Sequence, residues 1–596
     1  LSEFLKKAPE LIPILPGYVR QLLWIVLLLL SSAIFLFPVK LKFQYFSVES
    51  LYIFGDKLWL FCVLFLLWIT VLLILLLTRI NEWQRILLIA IFALVFFGFW
   101  VVITPYGGWC DGLVNMGHVK YLAQVQEIPF SHDTLAYFQY PGIHLTGFAL
   151  SEITGIDITQ IRTFFLIFCS IIQAIFLYLL FNRLLKNKQA ASLAVIFLIC
   201  GALLITRTVF HPAVTASVFF VILFYLLTKD NKLDNPPVMV LFILSFVALT
   251  ITYLPSSLFF IFALSGIYII NRLKKQKTFP ITLIIFCMFV FLSWQIFWAT
   301  RMFGDLTAHI EDFIAAFNNP LERLMPIFGT ASQSLAADTP LWAGLTRYFW
   351  LAALYLLGII LALRNAFKIK KLDFNETVET GALWGILIAS LIAILAFGEG
   401  TQWHRILVYA PYLIAPIIIR ALYKVPDILY RGKITCTQNY MPLLLSALLI
   451  LIALPTFLVN HASINTQSIY KYELRSGEFV ANNFNQNELL FISDGVTVYS
   501  FAFYIPDAVL AHPAQPWDIN SEKELWASIQ EKSEQFQNSS ATALFALTER
   551  FDQSYRDVFD IDKTSKEWLG LIWELESNNL IYNNGHAKIY KNLTLN

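Results

Sequence analysis

The chain has 596 residues, of which 58% are hydrophobic and 14% charged, and its formal net charge is +2; its mean hydropathy is +0.66. That balance excludes a soluble globule of this size, and it carries no signal for a nucleic-acid partner. The six cysteines form no CxxC pattern, and four of them (Cys62, Cys169, Cys200, Cys287) lie inside apolar runs, so neither a disulfide framework nor a thiolate metal site is expected.

A helix needs about 20 apolar residues to cross a hydrocarbon core of roughly 30 Å. Candidate spans in chain order are Leu22–Phe37, Leu58–Leu77, Ile86–Ile103, Ile161–Phe181, Ala190–Thr206, Ala213–Thr228 and Val238–Tyr253. They continue with Ser256–Ile270, Ile281–Ala299, Tyr348–Leu363, Ala382–Phe397, Ile406–Leu422 and Met441–Val459. The fold class is therefore an α-helical polytopic membrane protein with about 13 transmembrane helices. Further runs follow the first, with no small-residue cleavage site, so no cleavable signal peptide is expected.

Lys and Arg in short loops set the orientation. The first segment carries Lys6, Lys7 and Arg20; alternate loops then carry Arg79 and Arg85, Arg183 to Lys188, Lys229 and Lys232, Arg272 to Lys277, Arg364 to Lys371, and Lys424 to Lys433. A thirteen-span count places all of these on the cytoplasmic side of a plasma membrane, with the N-terminus cytoplasmic and everything after Val459 outside. On this reading the spans themselves are free of charge and the ionisable groups gather at their ends.

The outer loop 104–160 holds GWCDGLVNMGHVKYLAQVQEIPFSHDTLAYFQYPGIHL, with Asp111, His118, His132, Asp133 and His144. NMGHVKYLAQVQEI is helix-like, with an apolar stripe through Met116, Val119 and Leu122 that suits an interfacial helix. IHLTGFALSEITG is a second amphipathic segment ending at Gly155. Ionisable groups at a membrane boundary are functional candidates by default, and the alternative is a polar connector resting on the bilayer through its aromatics. FGEGTQWHRILVYAPYLIAP places Glu399, His404 and Arg405 before a span that starts outside. An Arg at a helix N-terminus opposes the macrodipole, which an anion bound there would relieve; mutual neutralisation of Glu399 and Arg405 is the plainer reading. Arg207 and His211 occupy the tight turn TRTVFHP, where a snorkelling cation and a turn histidine are the preferred reading.

From Asn460 the chain changes character, with about eight more acids than bases and no cysteine. ELLFIS (488–493) and ALFAL (543–547) read as buried strands, 521–536 as a helix with a Ser521/Glu524 capping box, and NLIYNNGHAKIYKN as a hairpin about Asn-Asn-Gly. A small extracytoplasmic α/β domain is expected, with sequons at Asn538 and Asn592. The domain plan is 1–85, with two extra spans; 86–459, the membrane catalytic region; and 460–596.

These residues resemble a family. A span, an outer loop with an Asp and a following His, an IPF segment, and YPGIHL ahead of a helix ending in TG look like the C-type glycosyltransferase (GT-C) superfamily. That superfamily includes oligosaccharyltransferase catalytic subunits, protein O-mannosyltransferases and aminoarabinose transferases. FHPAVTASVFFVILFYLL is similar to its Pro-then-span element, and EGTQWHRILVYAPYLIAP to its late Arg-bearing span. The resemblance implies a GT-C-like fold and a transferase that moves a sugar or oligosaccharide from a polyprenyl-phosphate or polyprenyl-diphosphate donor to a protein, lipid or glycan acceptor. By resemblance Asp111 is the general base or metal-site carboxylate, and Arg405, His404 and Arg207 bind the donor phosphate. His118, Asp133, His144 and Glu399 remain further candidates. The family's Asp-x-Asp pattern is absent, since Gly112 and Leu113 follow Asp111. A divalent cation (Mg or Mn) held by Asp111 and Asp133 is left open. No Trp-Trp-Asp motif occurs in the tail, which speaks against an oligosaccharyltransferase. Two other classes compete: a transporter or flippase of lipid-linked glycans, for which the internal repeats of transporters are missing, and a non-catalytic membrane scaffold.

Overall fold

The computed structural model describes residues 16–37, 56–104, 110–128, 139–201, 210–229, 235–275, 280–300, 341–397, 409–430, 436–462, 471–484, 489–492, 504, 509–511, 542–548, 579–583 and 587–591. Sixteen α-helices run through them: α1 Gly17–Phe35, α2 Leu58–Leu77, α3 Glu82–Ile103, α4 Cys110–Val125, α5 Gly142–Thr154, α6 Ile158–Leu185, α7 Lys188–Gly201 and α8 Pro212–Lys229. The others are α9 Pro236–Thr252, α10 Leu254–Leu273, α11 Ile281–Phe297, α12 Leu341–Phe367, α13 Phe374–Phe397, α14 Pro411–Tyr430, α15 Cys436–Ala462 and α16 Lys471–Asn483. Each of the thirteen apolar runs lies largely in one of these helices. Among the described residues, seven of the helices are long and apolar enough to cross a membrane, and six more carry shorter apolar stretches. By helix composition the chain is a multi-pass membrane protein.

Local chemistry explains the boundaries. The Asp157 side chain caps α6, accepting from the Thr159 N–H at 2.8 Å, and Gly155 closes α5 in the left-handed region at φ 66°. Between α9 and α10 the chain reverses at Tyr253, with a proline in the first turn of α10. Phe246 and Phe260, equally spaced about Tyr253, have ring centroids 5.9 Å apart, so the two helices lie side by side. Two apolar helices in lipid gain no hydrophobic driving force from pairing and depend on close contact. α10 and α13 achieve it through glycine: a Cβ on Gly266 would meet the Gly381 carbonyl oxygen at 2.1 Å, so only glycine fits there.

One end of the bundle is charged. Glu82 accepts from the Tyr178 hydroxyl at 2.8 Å and pairs with Lys188. Lys274 Nζ donates to the Leu372 carbonyl at 2.7 Å and to Thr377 Oγ1 at 2.8 Å, and Lys186 pairs with Asp373 at 3.6 Å. Two findings correct the expectation that the spans carry no charge. Arg420, inside α14, forms a two-pronged pair with buried Glu379 of α13; its Nη2 donates to Glu379 Oε1 at 2.8 Å and to the Leu184 carbonyl at 2.7 Å. Arg162 of α6 is also buried, and Arg85 of α3 donates to the Leu76 carbonyl at 2.7 Å instead of standing in a loop. A guanidinium is accommodated there because carbonyls left over at helix ends, or a carboxylate, take its protons.

After α15 comes a mixed five-stranded sheet, in the order β2-β1-β3-β5-β4, from β1 Leu489–Ile492, β2 Val509–Ala511, β3 Thr542–Thr548, β4 Asn579–Asn583 and β5 Ala587–Lys591. β1 runs parallel to β2 and β3, while β3–β5 and β4–β5 are antiparallel, with Ala546 opposite Ile589. Val480 of α16 joins Leu544, Ala546 and Ile589 in its core. The expected strands and the two arms of the terminal hairpin are therefore present, whereas the 521–536 helix and both sequons fall outside the described residues.

Candidate functional site

The opposite end of the bundle is built from polar, aromatic and histidine side chains. The chain leaves α3 at Thr104, whose carbonyl accepts from Arg162 Nη2 at 2.7 Å, so a buried cation fixes the approach to α4. The apolar stripe of α4 is covered by protein. Met116, Val119 and Leu122 of the expected stripe are buried, and so are Asn115 and His118 beside it, because the helix is packed against α5 and α6.

Asn115 and His118 share a face of α4, and helical periodicity places position 111, four and seven residues earlier, on that same face. Facing them is His144 from the first turn of α5. His144 Nε2 lies 2.7 Å from Asn115 Oδ1; the amide oxygen can only accept, so the ring carries its proton on Nε2. The His118 and His144 rings meet edge to face at 5.2 Å. Burial pushes the His118 pKa down to about 4 and holds that of His144 well below the usual range, with His118 and His211 adding to the effect on His144. Both rings are neutral at pH 7.

The neighbouring elements lock this pair in place. Gly142 opens α5 so close to α9 that a Cβ would meet Thr252 Oγ1 at 2.3 Å. Just before it, Tyr140 donates to Gln295 Oε1 at 2.7 Å, and Trp294 Nε1 donates to the Gln139 carbonyl at 3.0 Å, tying YPGIHL to the end of α11. His211 caps α8 by accepting from the Ala213 N–H at 3.1 Å, and its ring contacts Tyr253 at 5.7 Å. Three residues past Tyr253, Ser256 shares a hydrogen bond with the Tyr409 hydroxyl, and Gln173 Nε2 donates to the Tyr412 hydroxyl at 3.0 Å. Four separate stretches of sequence thus meet at one end: α4, YPGIHL, FHP and VYAPY.

Of the residues singled out from sequence, His118 and His144 are brought into contact, with His211 alongside. Asp111 lies in the first turn of α4. Asp133, His132, Arg207, Glu399, His404 and Arg405 lie outside the described residues. Among the described residues no group of three or more His, Cys, Asp or Glu is placed to hold a metal ion. Asn115, Tyr140, Gln295, Tyr409 and Ser256 were not anticipated. Only Asn115 had a legible signal, its helical spacing between Asp111 and His118.

No protein-family model matches the chain, and no curated protein matches it in sequence. Solved structures do. The chain is similar to ArnT from Cupriavidus metallidurans bound to undecaprenyl phosphate, at 10% identity and a TM-score of 0.48, over 86% of this chain and 99% of that one. It is also similar to the Archaeoglobus fulgidus oligosaccharyltransferase tethered with an acceptor peptide containing the NVT sequon, at 12% identity and a TM-score of 0.48, over 86% and 74% of the two chains. A third similarity is to AglB from Archaeoglobus fulgidus in complex with an inhibitory peptide and a dolichol-phosphate, at 13% identity and a TM-score of 0.45, over 80% and 72%.

Proposed function

We propose that the chain is a membrane glycosyltransferase of the GT-C type that transfers a sugar from a polyprenyl-phosphate-linked donor to an acceptor at the histidine end of the bundle, which faces the outside. The observation that supports this reading is the convergence at that end of α4, YPGIHL, FHP and VYAPY, all from stretches that bear the family resemblance. Asp111 is the base or metal-site carboxylate: an acceptor hydroxyl must lose its proton as it displaces the phosphate at the anomeric carbon, and a carboxylate accepts that proton. Arg405, His404 and Arg207 answer the charge that develops on the leaving phosphate. The neutral His118–His144 pair, with Asn115, anchors the helix that begins at Asp111. Residues 460–596 form an extracytoplasmic domain, and the charged end with its Lys and Arg residues faces the cytoplasm.

A transporter or flippase of lipid-linked glycans is the second reading, and the Glu379–Arg420 pair inside the bundle is the observation in its favour. That pair is two-pronged and closed by the Leu184 carbonyl, the arrangement of a fixed clamp. Asp111→Asn in reconstituted protein separates the readings. The transferase account expects sugar transfer to fall by about 100-fold or more with the protein folded. Undiminished transfer would remove Asp111 from the chemistry, and glycan translocation without transfer in the parent protein would favour the flippase.

A further inference from the structure

Helix α16 belongs to two cores at once. Val480 is buried in the core of the sheet, while Leu474 is buried in the apolar core of the bundle. Glu478, one turn after Leu474, projects on the same side of the helix as that residue. Tyr504, also from the C-terminal domain, packs on the bundle core as well. Its ring receives the ammonium of Lys120, which lies 4.9 Å from the ring centroid. Lys120 stands on α4, five residues beyond Asn115 and two beyond His118. Burial lowers the Lys120 pKa, and the carboxylates of Asp157, the cap of α6, and Glu478 oppose that shift. The Tyr504 ring thus covers a cation of α4 whose charge is favoured by carboxylates at the start of α6 and on α16.

The helix that begins at Asp111 is thus held from two directions. Asn115 and His118 fasten one face to α5, and Lys120 fastens another to the C-terminal domain. We propose that Lys120 is a positioning residue: its contact with the Tyr504 ring docks the C-terminal domain on α4 and holds that helix in the orientation transfer requires. The consequence for activity rests on the reading of Asp111 given above; the docking itself does not. The domain after the last span is then a brace for the site and not an appendage tethered beside it.

Hydrogen exchange of the backbone amides in 110–125, measured on the full chain in nanodiscs, tests the docking without any substrate. Lys120→Met and Tyr504→Leu should speed that exchange by about three- to tenfold, the scale of a partly buried cation–π contact. Lys120→Arg keeps the cation and Tyr504→Phe keeps the aromatic face, so both should retain the parent rates. In the transfer assay, Lys120→Met and Tyr504→Leu should lower kcat by a similar factor while leaving the donor KM within about twofold of the parent value, since α4 is moved and the phosphate site is not. Unchanged exchange in Lys120→Met and Tyr504→Leu would overturn the proposal. Equal acceleration in all four variants would also overturn it, by reducing the contact to packing. Faster exchange in a protein whose parent form shows no transfer would support the docking and sink the transferase reading instead.

Discussion

The two ends of the helical bundle solve the same problem in opposite ways. At the charged end, cations have partners from the protein: Glu82 pairs with Lys188 near the surface, Glu379 with buried Arg420, and a helix-end carbonyl accepts from Arg85. At the other end the cluster around His118 and His144 is neutral and amphipathic: two histidines held uncharged by burial, an asparagine, and tyrosine hydroxyls bonded to Gln295 and Ser256, with Arg162 and Lys120 as the nearby cations. At the first end the buried guanidinium of Arg420 already has its carboxylate partner within the protein. The second presents hydrogen-bonding groups around the start of α4, the arrangement a site needs if the charge is to come from a ligand.

That contrast can be broken from either side. The largest stability effect belongs to the charged end. Glu379→Gln or Arg420→Met leaves a buried partner uncompensated and should cost about 3–5 kcal/mol, read as a lower thermal unfolding midpoint in detergent. Replacing both residues with apolar side chains of similar size should cost less than either single change.

The next effect belongs to the histidine end and depends on pH. The folded-state pKa of His118 lies near 4 against about 6.5 for an unfolded chain. The unfolded state therefore binds the extra proton first. The contribution of His118 to stability is complete above about pH 6.5 and declines as pH falls toward 4, by up to about 3 kcal/mol. His144 changes in the same direction, and His211 is the third imidazole of the cluster. Unfolding midpoints compared at pH 7.5 and pH 5 should show the loss, and His118→Phe should flatten that dependence; an unchanged slope would remove His118 as its source. The smallest effect is local: Tyr140→Phe removes the hydrogen bond to Gln295 and should cost about 1–2 kcal/mol, with faster amide exchange confined to the segment around Pro141.

Much of this was legible in the chain. Apolar runs marked the helices because burial in lipid or protein leaves no other option for the backbone. Gly155 marked the end of α5, and the paired runs at Leu580 and Ile589 marked a hairpin. The buried charges were not legible: Arg420 and Glu379 are 41 positions apart, and each is averaged away in a strongly apolar window. The Asn115–His144 bond was hidden for the same reason, since its partners belong to segments 29 positions apart that only packing brings together. What covers the α4 stripe was not legible either, because Met116, Val119 and Leu122 read the same against lipid as against protein; Asn115 and His118 beside them are dry.

The central claim is that the donor's phosphate is held at the histidine end. A polyprenyl phosphate carrying a photoreactive group near its phosphate, reconstituted with the full chain and irradiated, tests it most directly. The account predicts labelling within residues 104–160 and 398–412. Labels confined to the charged end, around Arg85, Lys188 and Lys274, would contradict it.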